Sequence, residues 1–196
     1  MKPVVRMAAL AAALGACTPG GSGSSTSAAA APAGGFALGR AATAAEIAAV
    51  DLDVGVSGEG LPSGRGDAAH GEQIFRDKCA VCHGARGEGI PPNPALVGRE
   101  PREGFPFATD LKAPRTIGNF WPYATTLFDY VRRAMPLANP GTLTNDELYS
   151  LTAYLLAANE VVPAGAILDS ASLVAVKMPA RDRFVRDDRK GGKEVK

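Results

Sequence analysis

The stretch HGEQIFRDKCAVCHGARGEG, residues 70–89, decides how the rest of the chain is read. Just before it stands Asp67, a residue type that caps helix starts by accepting a backbone N–H. Ile74, Phe75, Lys78 and Cys79 then recur at roughly helical spacing, so the pattern predicts one helix from Asp67 through the cysteines. On a helix, positions i, i+3 and i+4 share a face. Cys79, Cys82 and His83 are those three positions.

Three chemistries compete for such a face. Two thiols can bond to one flat ligand while the imidazole reaches its centre. Porphyrin with two vinyl groups is such a ligand, and the pattern Cys-x-x-Cys-His is the attachment signature of haem c, with His83 as the fifth iron ligand. A structural zinc wants four Cys or His ligands. Here the chain offers three, and His70 is the only other histidine. A redox disulfide of the thioredoxin kind belongs near a strand–helix–strand unit, and no such unit is legible. An incidental structural disulfide leaves the adjacent histidine without a reason. Covalent haem through Cys79 and Cys82 is the reading that uses all three residues.

Iron in an electron-transfer site usually carries a sixth ligand, and a His/Met pair raises its reduction potential. Met135, in RRAMPLANPG, and Met178, in VAVKMPARD, are the downstream methionines, and both precede proline. Context separates them. Met135 follows an expected helix from Pro122 to Ala134, framed by proline at its first turn and Pro136 past its end. The loop behind it can turn a side chain inward, so Met135 is expected as the axial ligand. Met178 is expected in a polar tail. His70, on the helix of Cys79, would have difficulty reaching an opposite face and reads as a surface residue. A last core helix is signalled by TNDELYSLTAYLLAANE, residues 144–160. Thr144 and Glu147 form a capping box, and Leu148, Leu151, Leu155 and Leu156 with Tyr154 make its buried stripe.

The chain opens MKPVVRMAALAAALGAC, with Lys2 and Arg6 ahead of a small apolar run at Met7–Ala16. That run is shorter than the roughly 20 residues a bilayer span needs. Residues 1–16 are expected to be a secretory signal. LGAC, Leu14–Cys17, resembles a bacterial lipobox, which implies cleavage before Cys17 and lipid on its thiol. The alternative is an ordinary signal with an incidental cysteine. The expected location is therefore exported, on the periplasmic side, held to a membrane by lipid. Residues 17–65, rich in Gly, Ser and Ala, read as a flexible tether, although TAAEIAAVDLDVGV inside it could hold a helical turn or two. One domain is expected at 66–160, with a tail at 161–196 that lies over it or against a partner.

Charge adds little. The precursor is formally +1, and losing Lys2 and Arg6 with the signal makes it −1. No basic stripe suits nucleic acid.

The run GEQIFRDKCAVCHGARGEG, then NPALVG, AMP and LYSLTAYLL, resembles small class I cytochromes c over roughly residues 67–160. The resemblance implies an all-α fold around one covalent haem, with Gly71 and Phe75 crossing the last helix near Tyr154. It also implies that the Pro94 carbonyl accepts a hydrogen bond from His83. A narrower resemblance, carried by RTIGNFWPYATTLFDYVRRAMP (115–136), LTNDELYSLTAYLLAAN and SLVAVKMPARDRFVRDDR, is to SoxD-like cytochromes of bacterial sulfur-compound dehydrogenases. It implies an electron-acceptor subunit beside a molybdenum-cofactor subunit that oxidises sulfite or sulfane sulfur. Some relatives carry a second haem domain, whereas this chain has one Cys-x-x-Cys-His. Trp121 and Arg115, with Arg132 and Arg133, are candidate donors to haem propionates; equally, Trp121 is a core aromatic and the arginines solvate a helix. The competing functions are a generic carrier to a terminal oxidase or another dehydrogenase, and an exported thiol–disulfide oxidoreductase using Cys79 and Cys82.

Overall fold

A computed structural model of the chain describes residues 39–98, 105–107 and 109–185. The chain divides into a unit at Met1–Ala42 and a second at Thr43–Lys196, and the second carries the architecture below. Its helices are α1 (Ala44–Val50), α2 (Ala68–Lys78), α3 (Ala80–His83), α4 (Ala124–Ala134), α5 (Asn145–Ala158) and α6 (Ser170–Val174). Two short strands, β1 (Arg65–Asp67) and β2 (Ile167–Asp169), and a 3-10 turn at Arg181–Arg183 complete the elements among the described residues. No helix among the described residues is long and apolar enough to cross a membrane.

The frame is the crossing of α2 and α5. Asp67 caps α2 by accepting from the His70 N–H. Thr144 and Glu147 form the full capping box that starts α5. Ile74 and Phe75 from α2 meet Leu148, Leu151, Leu155 and Leu156 of α5 in one buried cluster. Close approach requires Gly71, where a Cβ would overlap the Ser150 carbonyl and stand 2.8 Å from the Tyr154 Cβ. The Phe75 and Tyr154 rings lie 5.2 Å apart across the crossing. Lys78 closes its end with a 2.7 Å ion pair to Glu147. On the other side α4 packs Leu127, Phe128 and Val131 into the same core, with Phe128 4.7 Å from Tyr149.

Three expectations are corrected by this arrangement. The helix through the cysteines is two helices: Cys79 leaves helical geometry at φ −122°, ψ −35°, and α3 begins a new turn. Helix α4 starts at Ala124 and leaves Pro122 outside it. The expected helical fold carries one small addition: β1 and β2 pair antiparallel, with Gly66 opposite Leu168. Three-residue strands a hundred residues apart carry no periodic signal that could announce them. Finally, part of the expected tether is built into the fold. Val54 is buried, and its N–H donates to Asp129 at 2.9 Å. The Tyr149 hydroxyl donates to Pro62 O at 2.8 Å.

The region after α5 is likewise part of the core. Leu168, Leu173, Met178 and Ala180 are all buried. Met178 is therefore a packing methionine, not a residue of a polar tail. Further on, Phe184 packs edge-on to Phe107 and Phe120 at 5.0 and 5.6 Å. The charged residues flanking these positions mask an inward set that hydropathy alone does not resolve.

Candidate haem site

Helical geometry survives where the site needs it. The N–H of Cys82 donates to Cys79 O at 3.1 Å and that of His83 to the same oxygen at 3.0 Å. Cys79, Cys82 and His83 thus keep the i, i+3, i+4 relation despite the break before them. Both cysteines are free thiols; Cys79 is half-buried and Cys82 exposed. Burial, opposed by the charge of Lys78, pushes the Cys79 thiol up to about 11. An attacking thiolate needs the opposite shift. No three of His, Cys, Asp or Glu among the described residues are grouped to hold a metal ion.

The loop after α3 folds back onto His83. Gly89 N–H donates to His83 O at 2.7 Å, and the N–H groups of Leu96 and Val97 donate to Gly87 O at 2.8 and 3.0 Å. These bonds bring the Pro94 carbonyl to 3.3 Å from His83 Nδ1. A carbonyl can only accept, so a hydrogen bond here needs the proton on Nδ1, the neutral tautomer that leaves the lone pair on Nε2. Such an outer partner fixes the orientation of a metal-binding imidazole. The donor set suits haem c: two free thiols and an imidazole with a carbonyl at its Nδ1.

Met135 is the C-cap of α4, with its N–H on Val131 O at 3.1 Å and an extended backbone that leads the chain out of the helix. Cys79, Leu96, Trp121 and Met135 are all half-buried at the rim of the one core. Trp121 stands edge-on to Tyr130 at 5.9 Å. Arg115 is exposed, its guanidinium 4.8 Å over the Phe120 ring. Arg132 and Arg133 are committed elsewhere. Arg132 donates to Leu52 O and Gly60 O at 3.1 and 3.3 Å, and Arg133 pairs with Asp129 and Asp53. His70 is exposed, with Nδ1 3.4 Å from Ser150 Oγ. Cys17 lies outside the described residues.

One organising residue escapes sequence reading. Asn159, the C-cap of α5, is buried and accepts from the N–H groups of Gly98 and Gly118 at 3.0 and 3.1 Å. Its amide donates to Leu96 O at 3.2 Å. It thereby ties the loop carrying Pro94 and the segment before Trp121 to α5. An asparagine ending an apolar helix was the only signal available.

Residues 68–159 match the cytochrome c family. Among solved structures the chain is similar to the sulfane dehydrogenase SoxCD from Paracoccus pantotrophus, at 40% identity and a TM-score of 0.69. That similarity covers 79% of this chain and 73% of the other. Among curated proteins it is similar to a thiosulfate dehydrogenase of Stutzerimonas stutzeri, 28% identical over 99 residues. Those residues are 48% of this chain and 28% of that protein, so the chain spans little more than a quarter of its length.

Proposed function

Because this chain belongs to the cytochrome c family, whose members bind haem covalently, we propose that it is the electron-accepting subunit of a sulfur-compound dehydrogenase. The observation that carries the haem site is the His83 Nδ1 contact with Pro94 O on the turn that also holds both thiols. Cys79 and Cys82 would hold the group as thioethers, and His83 Nε2 and the Met135 sulfur would ligate its iron. Trp121 and Arg115 are proposed contacts of the haem surroundings. Haem, when bound, supplies a one-electron Fe(III)/Fe(II) couple. Pro94 keeps the proton on Nδ1 and so leaves Nε2 available. Leu96 and Trp121 pack against the core edge beside Cys79 and Met135 and would give the group an apolar surround.

The dehydrogenase partner is proposed to carry a molybdenum cofactor and to oxidise sulfite or sulfane sulfur. A two-electron oxidation then requires two successive transfers into this chain. Export and lipid attachment at Cys17 belong to the same reading: a periplasmic sulfur dehydrogenase needs its acceptor on that side of the membrane. Cys17→Ser should release the protein from membranes.

The test mixes ferric protein with the candidate molybdenum subunit and adds sulfite or thiosulfate. Haem reduction is expected at substoichiometric enzyme. Haem that stays oxidised with both substrates beside an active molybdenum subunit leaves only the generic electron carrier. Deleting residues 161–196 is not a clean probe of docking, because Leu168, Leu173 and Met178 belong to the core.

A further inference from the structure

The segment between α1 and β1 runs along α4 and is bonded to it at every turn. Thr125 Oγ1 donates to Val56 O at 3.1 Å. One turn on, the Asp129 carboxylate accepts from Val54 N–H at 2.9 Å. In the last turn Arg132 Nη1 donates to Leu52 O and Gly60 O at 3.1 and 3.3 Å. Beside it Arg133 binds Asp129 and reaches Asp53 at 3.5 Å. Positions 125, 129, 132 and 133 form one stripe of the helix. The segment is itself anchored at its far end, through Tyr149 to Pro62 and through Asn145 Nδ2 to Ser63 O at 3.1 Å.

Helix α4 has 11 residues, a length at which an isolated helix is marginal and its ends fray. Its C-cap is Met135. Whatever holds the last turn therefore holds the position of the Met135 sulfur. Core packing of Leu127, Phe128 and Val131 holds one face of α4, while the opposite edge of that turn is tied through Arg132. Asp129 is nearly buried. Burial alone would raise its carboxyl, but hydrogen bonds from Arg133 and Val54 and the charges of Arg133 and Arg132 outweigh it and hold it low.

We propose that residues 52–62 brace α4 and that Arg132 is a positioning residue that keeps Met135 ready to ligate haem iron. This rests on the reading of Met135 as the axial ligand. Arg132 touches neither the iron nor the sulfur; it acts by preventing the last turn of α4 from opening. A ligand that competes for iron should then bind more easily when the brace is loosened, because the open form is more populated.

The experiment is an imidazole titration of the ferric holoprotein at fixed pH, followed by loss of the near-infrared sulfur–iron band. Arg132→Met keeps the stem but removes the donors to both carbonyls, and should tighten imidazole binding roughly tenfold, the scale of one to two net hydrogen bonds. Arg132→Lys can reach one carbonyl and should fall between. Asp67→Ala removes the α2 cap and none of the bonds to residues 52–62, and should leave imidazole affinity unchanged. If Arg132→Met does not take up haem, Arg132→Lys and Asp129→Asn report the same quantity. Affinity unchanged in the Arg132 and Asp129 variants overturns the proposal, as does an equal shift in Asp67→Ala. Met135→Ala separates the two readings: a band that survives it sinks the ligand assignment, whereas a lost band with an inert Arg132 sinks only the brace.

Discussion

Gly71 and Ser150 meet with no space for a side chain between them: a Cβ at Gly71 would overlap the Ser150 carbonyl. The obstacle is backbone, so no rotamer change can relieve it. Gly71→Ala gains about 1 kcal/mol of helix propensity and meets an overpacking cost of about 1–3 kcal/mol or more. The steric effect should win. Chemical denaturation of the holoprotein is expected to show a lower midpoint, and a raised one would mean that α2 and α5 separate freely.

Met135 and Met178 should respond in opposite ways. Met135→Ala is expected to abolish the near-infrared sulfur–iron band of the ferric protein and to lower its reduction potential. Met178 is 4% exposed within the core. Met178→Ala should leave the band intact and cost about 2–5 kcal/mol of stability through the cavity it leaves. Band loss in Met178→Ala alone would transfer the ligand role.

Cys79 and Cys82 are both free and sit three residues apart across one helical turn. Either Cys79→Ala or Cys82→Ala should leave a single thioether, lowering haem retention and shifting the pyridine haemochrome spectrum. An unshifted, full-strength spectrum in one variant would remove that cysteine from the attachment.

The Lys78–Glu147 pair gives the α2–α5 crossing an acid dependence. The hydrogen bond from Lys78, then that from the Thr144 N–H, holds Glu147 below its ordinary value of 4.5. A depressed folded value means the pair contributes above 4.5 and loses that contribution as pH falls through the lower folded value. Both side chains are partly exposed, so the scale is that of a surface pair, about 0.2–1 kcal/mol. Lys78→Met should be less stable by that amount at neutral pH, with the gap to the parent narrowing in acid. Stability curves against pH that stay parallel would show that the pair is not coupled to folding.

Local chemistry was legible in the sequence. The Cys79–Cys82–His83 spacing, the Asp67 cap, the Thr144–Glu147 box and the leucine stripe of α5 are relations within one turn or one helix. Each depends on neighbours a few residues away, which hydrogen-bond geometry constrains directly. The resemblance to class I cytochromes supplied the contact between His83 and Pro94 and the crossing at Gly71, and both are present. The helix break at Cys79 was not legible, because the apolar spacing continues through it.

Tertiary structure alone decided the rest. Residues 52–62 carry the composition of a linker, yet their carbonyls and amides are bound by Arg132, Thr125 and Asp129 from 69 to 80 positions away. A segment held by its backbone leaves no trace in its own side chains, since any residue offers the same N–H and C=O. Met178 is buried for a related reason: a single apolar residue among charges is placed in a core by the chain around it. Arg132 and Arg133, candidate donors to haem propionates by the sequence, bind that same strap and Asp129 instead. Sequence spacing determined what this protein can bind at Cys79–His83. Long-range packing determined which parts of the chain hold that site in shape, because those contacts join segments whose separation no local pattern encodes.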